Sequence, residues 1–155
     1  MRSIHQWLDE YGESHQDPVN KRIHWVCVPA IVLSVIGLLW SIPVPAAFAA
    51  ISPALNWAVL LAMVAVVYYF ILSVPLALGA AAVLFLLLLA AAGLDQLPIP
   101  LWVTSVVIFV VAWIGQFIGH HIEGRKPSFF KDLQFLMIGP LWLLAAAYRG
   151  AGLRY

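Results

Sequence analysis

NWAVLLAMVAVVYYFILSVPLALGAAAVLFLLLLAAA occupies residues 56–92 and contains no charged side chain. An α-helix rises about 1.5 Å per residue, so one helix of this length would measure about 55 Å. The hydrocarbon core of a bilayer is only about 30 Å thick. Because Ser73, Val74 and Pro75 also interrupt the run, we predict two spanning helices that meet at a sharp corner.

The rest of the chain is also too apolar for a water-soluble domain. Hydrophobic residues make up 64% of the sequence and charged residues 10%, against roughly 25% charged residues in an average soluble domain. Between Arg22 and Glu123 the only charged residue is Asp95. Spanning helices need about 20 apolar residues, and four runs approach that length: 25–42, 55–73, 76–92 and 100–118.

Two further segments complete the predicted architecture. Ile4, Trp7, Leu8 and Tyr11 share one helical face, which predicts an N-terminal amphipathic helix that lies at the membrane interface as a lid or anchor, or packs on the bundle. The apolar stretch 133–148 is short and contains Pro140, which favours a re-entrant or in-plane segment. We therefore expect residues 1–155 to form one all-α, polytopic membrane bundle of four to five transmembrane or re-entrant helices.

The distribution of basic residues predicts the orientation. With a helical hairpin at Pro75, all of the basic residues near the ends of the spans fall on one side, which the positive-inside rule makes cytoplasmic: Arg2, Lys21, Arg22, Arg125, Lys126 and Lys131. We expect an integral protein of a bacterial inner membrane, with the endoplasmic reticulum as the eukaryotic alternative. A net charge of +1 argues against a nucleic-acid partner.

The first polar cluster precedes the first span. Asp17 and Pro18 are the residue types of a helix N-cap and first helical position, so Asn20 and His24 fall four residues apart on one helical face. His15 would lie just before this helix, free to fold over its end. His5 belongs to the amphipathic helix instead, where we expect it to be solvated.

The second polar cluster ends the fourth span. Gln116, His120 and Glu123 share one helical face, and Gly124 ends the helix. His121 points about 100° away from His120, so its role is open. The predicted topology brings both clusters to the same side of the membrane.

These side chains predict a site for one metal ion. Imidazole is a common ligand of zinc, copper and non-haem iron, and histidines with a carboxylate and open positions are typical of oxygen-activating ferrous sites. We assign His15, His24 and His120 as ligands, with Glu123 as a fourth ligand or as a partner that orients one. Cys27, the only cysteine, is expected to be a packing residue.

The two motifs resemble the 2-hydroxy fatty acid dioxygenase family of membrane proteins. The matching pattern is His15-x4-Asn20-x3-His24-x4-Pro29, followed by Gln116-Phe-Ile-Gly-His120 with Glu123, Arg125, Lys126 and Pro127, and the resemblance extends over essentially the whole chain. It implies an Fe(II)-dependent enzyme of fatty acid α-oxidation. In that reaction a long-chain 2-hydroxy fatty acid reacts with dioxygen and becomes a fatty acid one carbon shorter.

The residues around the histidines suggest how such a substrate would bind. A 2-hydroxycarboxylate offers two oxygens to a single metal, and we assign Asn20 and Gln116 to substrate binding. Arg125 and Lys126 would hold the carboxylate as it arrives, or else anchor lipid headgroups. We expect the acyl tail to lie among Trp25, Phe117 and the bundle helices.

Two other functions compete with this one. A non-catalytic scaffold or lipid carrier would have no reason to retain stoichiometric metal. A zinc-dependent membrane hydrolase would use the same histidines to activate water, and the residues alone do not separate iron from zinc.

Overall fold

The computed structural model describes residues 2–127 and 134–155, so Lys131 and the first residue of the predicted 133–148 segment lie outside the described residues. Every regular element within the described ranges is a helix, which confirms the all-α prediction. The seven helices are α1 (Ile4–Gly12), α2 (Pro18–Trp40), α3 (Ala46–Ile51), α4 (Trp57–Leu72), α5 (Val74–Leu94), α6 (Leu101–Glu123) and α7 (Phe135–Gly150).

The corner at Ser73 divides the long apolar run as predicted. Ser73 is extended, with φ −165° and ψ 119°, and its hydroxyl caps α5 by accepting a hydrogen bond from the Leu76 amide at 3.4 Å. Pro75 lies in the first turn of α5, where a helix needs no backbone N–H. The chain therefore reverses there, and α4 packs against α5.

Three helices are long and apolar enough to cross a membrane: α2, α5 and α6. The apolar helices α4 and α7 are shorter, at 16 residues each, which corresponds to a rise of about 24 Å. Helix α4 begins at Trp57, two residues after the start of the predicted run, because the Asn56 side chain caps it by accepting a 3.0 Å hydrogen bond from the Val59 amide. Two predicted spans are longer than expected: α2 begins at Pro18 and α6 continues to Glu123, so the polar residues at their histidine ends lie on helices, namely Asn20, His24, Gln116, His120 and Glu123.

The N-terminal amphipathic helix is also confirmed, with a capping box between Ser3 and Gln6. Its apolar face, Ile4, Trp7, Leu8 and Tyr11, is buried in the main apolar cluster with residues of α7 such as Phe135 and Ile138. Of the two roles predicted for α1, the structure therefore favours packing on the bundle.

The closest helix pair is α2 and α6, and small residues let it form. A Cβ atom on Gly119 of α6 would lie 2.4 Å from Asn20 Oδ1 of α2, and one on Gly115 would lie 2.6 Å from Cys27 Sγ. At the other end, Gly37 of α2 makes room for Ser105 of α6. This close approach brings the N-terminal turns of α2 and the last turns of α6 side by side.

Candidate metal centre

His15 lies in the short link between α1 and α2, and both helix ends hold that link. Its amide donates a 3.0 Å hydrogen bond to the Gly12 carbonyl at the end of α1. Two residues later, Asp17 caps α2 by accepting from the amides of Val19 at 2.7 Å and Asn20 at 3.1 Å. The imidazole is 1% exposed and turns back over the start of α2.

His15 and His24 face each other through their Nε2 atoms, which are 3.0 Å apart. His15 Nδ1 contacts the Tyr11 carbonyl at 2.6 Å, and His24 Nδ1 contacts the Asn20 carbonyl at 2.9 Å. A carbonyl oxygen only accepts, so each Nδ1 carries the proton and each Nε2 presents a lone pair. Two lone pairs at this distance repel each other unless a cation lies between them.

His120 completes the cluster from α6. Its ring centroid is 4.9 Å from that of His15 and 5.0 Å from that of His24, and one ring nitrogen of each histidine lies within 4.8 Å of the others. His120 Nδ1 is buried and has no hydrogen-bond partner among the described residues.

The donor set fits a metal ion. Adjacent nitrogens on an ion with bonds of about 2.1 Å are separated by about 3.0 Å at a right angle, as the His15 and His24 Nε2 atoms are. Each of those two rings also donates its other N–H to a carbonyl, which is the usual way that a protein orients a metal-binding histidine. Three buried imidazoles can therefore hold a metal here.

An aromatic shell surrounds His15. The ring of Tyr11 stacks on it, with centroids 4.1 Å apart and planes 7° from parallel, and Trp142 of α7 lies 5.3 Å away. Burial lowers the pKa of His15 from 6.5 to about 3. The imidazole is therefore neutral at pH 7, which is the form that binds metals.

Glu123 holds the His15 link instead of facing the three histidines. Its Oε1 accepts from the Gln16 amide at 2.8 Å, and its Oε2 accepts from the Asp17 amide at 2.9 Å and from Asn20 Nδ2 at 3.0 Å. The three-histidine group contains no carboxylate among the described residues. This geometry favours the second of the two predicted roles of Glu123, that of an orienting partner.

Asn20 and Gln116, the two polar residues assigned to substrate binding, occupy different positions. Asn20 is fully buried, and its amide nitrogen bonds Glu123 and the Ser14 carbonyl. Gln116 is 6% exposed and lines a cavity that His24 and His120 also line. Gln116, whose side chain hydrogen-bonds His24, thus borders the cavity, whereas Asn20 packs between the two motifs.

A partly open cavity lies between α2, α6 and α7, and its space, including the part open to the surroundings, is about 470 Å³. Its polar groups cluster at the histidine end, and its walls are apolar beyond them; lining residues include Tyr11, His24, Val28, Ile31, Val32, Trp113, Gln116, His120 and Phe135. Trp25 and Phe117, which we expected beside the acyl tail, are 47% and 49% exposed and do not line it. Whether the tail contacts them stays a prediction, and the residues that line the cavity are different ones.

Comparisons with known proteins identify the family of this chain. A family model described as "2-hydroxy-palmitic acid dioxygenase Mpo1-like" matches residues 1–150. The chain belongs to the Mpo1-like family. A Saccharomyces cerevisiae protein named 2-hydroxy-palmitic acid dioxygenase MPO1 is 28% identical over 146 residues, which are 93% of this chain and 79% of the yeast protein. No solved structure matches.

The remaining predicted residues of this Mpo1-like chain lie on its surface. Arg125 and Lys126 are exposed and follow Gly124, whose φ of 70° ends α6 in the left-handed conformation. Pro127, directly after them, lines the cavity. His121 is exposed, as is His5, whose ring is tilted by 32° against that of Tyr155 with centroids 5.8 Å apart. Neither belongs to the three-histidine group.

Sequence reasoning missed the aromatic residues of the Mpo1-like site. Tyr11 was assigned only to the apolar face of α1, yet it also stacks on His15 and lines the cavity. Its position four residues before His15 is the signal that would have pointed to it. Trp142 gave no such signal, because only the packing of α7 against α1 brings it to the histidines.

Proposed function

We propose that this protein is an iron(II)-dependent dioxygenase of fatty acid α-oxidation, which converts long-chain 2-hydroxy fatty acids to fatty acids one carbon shorter. The observation that carries the proposal is the meeting of three buried imidazoles, two with opposed lone pairs, at the polar end of an apolar cavity. Membership of the Mpo1-like family and the name of the yeast relative support the same substrate class.

The reaction balances without a reducing cosubstrate. A 2-hydroxy acid and one dioxygen contain the atoms of the shortened acid, one carbon dioxide and one water. The bond between the carboxyl carbon and its neighbour breaks, and the hydroxyl-bearing carbon becomes the new carboxyl. This change removes four electrons from the substrate, which is the number that dioxygen accepts. We therefore propose that no 2-oxoglutarate is used.

His15, His24 and His120 are the proposed metal ligands. When iron(II) is bound there, it supplies the redox chemistry that lets dioxygen react with the hydroxy acid. The protein's part is to keep the three rings neutral, oriented and shielded from water. The carbonyls of Tyr11 and Asn20 fix two of the rings, and Tyr11 with Trp142 shields His15.

Gln116 and the basic pair after α6 are proposed to handle the polar end of the substrate. Gln116 lies one helical turn before His120 and lines the cavity; its amide group hydrogen-bonds His24 and is proposed to offer its remaining hydrogen-bonding capacity to the hydroxy acid. Arg125 and Lys126 are exposed just before Pro127, which lines the cavity. They are proposed to attract the carboxylate as it approaches, while Asn20 supports the site through Glu123.

We also propose that the histidine end faces the cytoplasm. The basic pairs Lys21, Arg22 and Arg125, Lys126 flank the histidine end of α2 and α6, and short basic segments remain cytoplasmic under the positive-inside rule. A bacterial inner membrane is the proposed location, or the endoplasmic reticulum for a eukaryotic chain. Long-chain substrates dissolve in either bilayer.

A zinc-dependent hydrolase is the second candidate, because three histidines without a carboxylate also form catalytic zinc sites. A scaffold or carrier function gains less support, because it does not explain two imidazole lone pairs held 3.0 Å apart.

Purified protein reconstituted with iron(II) or zinc under nitrogen tests these candidates. After air is admitted, the iron form should convert 2-hydroxypalmitate to the fifteen-carbon acid with one dioxygen consumed and one carbon dioxide released per turnover, without added 2-oxoglutarate. The zinc form and the nitrogen control should give none. Oxygen-independent activity with zinc would instead establish a hydrolase, and retention of neither metal would favour a scaffold.

A further inference from the structure

We propose that the cavity between α2, α6 and α7 is the subsite for the alkyl tail of the substrate, and that Val32 lies at a depth that long tails reach and short tails do not. This inference rests on the proposed function, since it takes the 2-hydroxy acid as the occupant.

The order of side chains along the two helices sets the direction of the tail. On α2, His24 is followed on the same face by Val28, one turn deeper, and then by Ile31 and Val32, two turns deeper. On α6, the order from the polar end inward is His120, Gln116 and Trp113. Both helices therefore change from polar to apolar in the same direction, away from the histidines.

The chemistry of the walls identifies the occupant. No charged residue lines the cavity among the described residues, and polar side chains are confined to the histidine end. A molecule with one polar end and a long apolar remainder matches this division. With its hydroxy acid beside the histidines, the alkyl tail would follow the apolar walls past Val28 towards Val32.

The depth of the cavity gives a length scale. His24 and Val32 are eight residues apart, which is a rise of about 12 Å along α2. An extended alkyl chain advances about 1.25 Å per carbon, from C–C bonds of about 1.5 Å, so roughly nine or ten carbons reach the level of Val32. Ile31 and Val32 are half-buried, so the remaining carbons of a sixteen-carbon acid leave the cavity there. An eight-carbon acid ends before it.

Substitution with tryptophan at three positions of α2 tests this arrangement. Val32→Trp obstructs the deep end, Val28→Trp obstructs the middle, and Val26→Trp is the matched control, because Val26 is 71% exposed on the outer side of the same helix. Binding of 2-hydroxypalmitate and 2-hydroxyoctanoate to iron-loaded protein is measured in nanodiscs under nitrogen, with empty nanodiscs subtracted. The absence of dioxygen makes the measurement independent of turnover.

Val32→Trp should weaken 2-hydroxypalmitate binding about tenfold or more while changing 2-hydroxyoctanoate binding less than about threefold. Val28→Trp should weaken both, and Val26→Trp neither. If Val32→Trp fails to fold, Ile31→Trp is used in its place, because Ile31 lies at the same depth as Val32. Two results would overturn the proposal. In one, Val32→Trp binds both acids as tightly as the wild type does; in the other, the wild type binds neither acid. Selective binding without product in air would instead count against the proposed function alone.

Discussion

The Nε2 atoms of His15 and His24 lie 3.0 Å apart, although both nitrogens present lone pairs. A contact of this kind is unfavourable in the metal-free protein and favourable once a cation is bound. The link before α2 and the first turns of α2 are thus held in a conformation that a metal stabilises.

Removal of any one of the three clustered imidazoles should abolish metal binding. His15→Ala, His24→Ala and His120→Ala should each lower iron affinity by more than the roughly 10- to 100-fold typical of losing an outer-sphere partner, and each should lose activity. His5→Ala and His121→Ala remove exposed histidines outside the cluster and should retain wild-type iron. Normal iron content in the His120 variant, measured by elemental analysis, would rule out the assigned centre.

Glu123 should control metal affinity without being a ligand. Glu123→Ala removes the acceptor for two amides and for Asn20, so we expect about 10- to 100-fold weaker iron binding and a loss of about 1–3 kcal/mol in the free energy of unfolding. Glu123→Gln keeps one oxygen acceptor and should lie between wild type and alanine. If Glu123 were a direct ligand, the two variants would lose iron equally and the spectrum of the bound metal would change in both.

Any side chain at position 119 should disturb the contact between Gly119 and Asn20. Gly119→Ala places a Cβ 2.4 Å from Asn20 Oδ1, so either the Asn20 side chain must leave its hydrogen bonds to Ser14 and Glu123 or α2 and α6 must separate. We expect a cost of about 1–3 kcal/mol and weaker iron binding. Gly93→Ala in α5 is the matched control, because a Cβ there meets no atom within 4 Å. It should be neutral or stabilise the helix by up to about 1 kcal/mol. Denaturant unfolding and iron titration of both variants check the difference.

The metal-free protein should lose stability in acid. The unfolded chain protonates His15 near pH 6.5, whereas burial keeps the folded ring neutral down to about pH 3. Between these values the unfolded state binds more protons, so the contribution of His15 to the free energy of unfolding falls as pH falls from about 6.5 towards 3. The His15→Gln variant has no imidazole to protonate at this position, so its free energy of unfolding should fall less steeply with pH. Unfolding of the apoproteins from pH 7 to pH 4 measures the difference. Identical slopes would contradict the prediction.

Local chemistry made much of this fold predictable. The corner at Ser73, the N-cap at Asp17 and the end of α6 at Gly124 each follow from the residue at that position. The pairing of His24 with His120 followed from helix spacing and charge distribution. These features can be predicted from neighbouring residues in the sequence or from the thickness of a bilayer.

Other features depend on packing between distant segments. Trp142 reaches His15 only because α7 packs on α1. The lining of the cavity depends on which faces of α2 and α6 turn towards it, and periodicity does not reveal this for helices that are apolar on every side. Sequence reasoning therefore named Trp25 and Phe117 for the tail, whereas Val28 and Val32 are the residues that line the cavity. The hydrogen bonds of Glu123 likewise depend on a fold in which Gln16 meets the end of α6.

The position of His120 at the end of α6 has a consequence for biosynthesis. A ribosome makes His15 and His24 first, and it makes His120 only after α2, α4 and α5 have been synthesised. A nascent or truncated chain that stops before α6 therefore has two of the three imidazoles and lacks Glu123, the residue that fastens the His15 link. The three-imidazole group can therefore form only after α6 has been synthesised through His120, and the proposed metal ion can have all three ligands only from that point on.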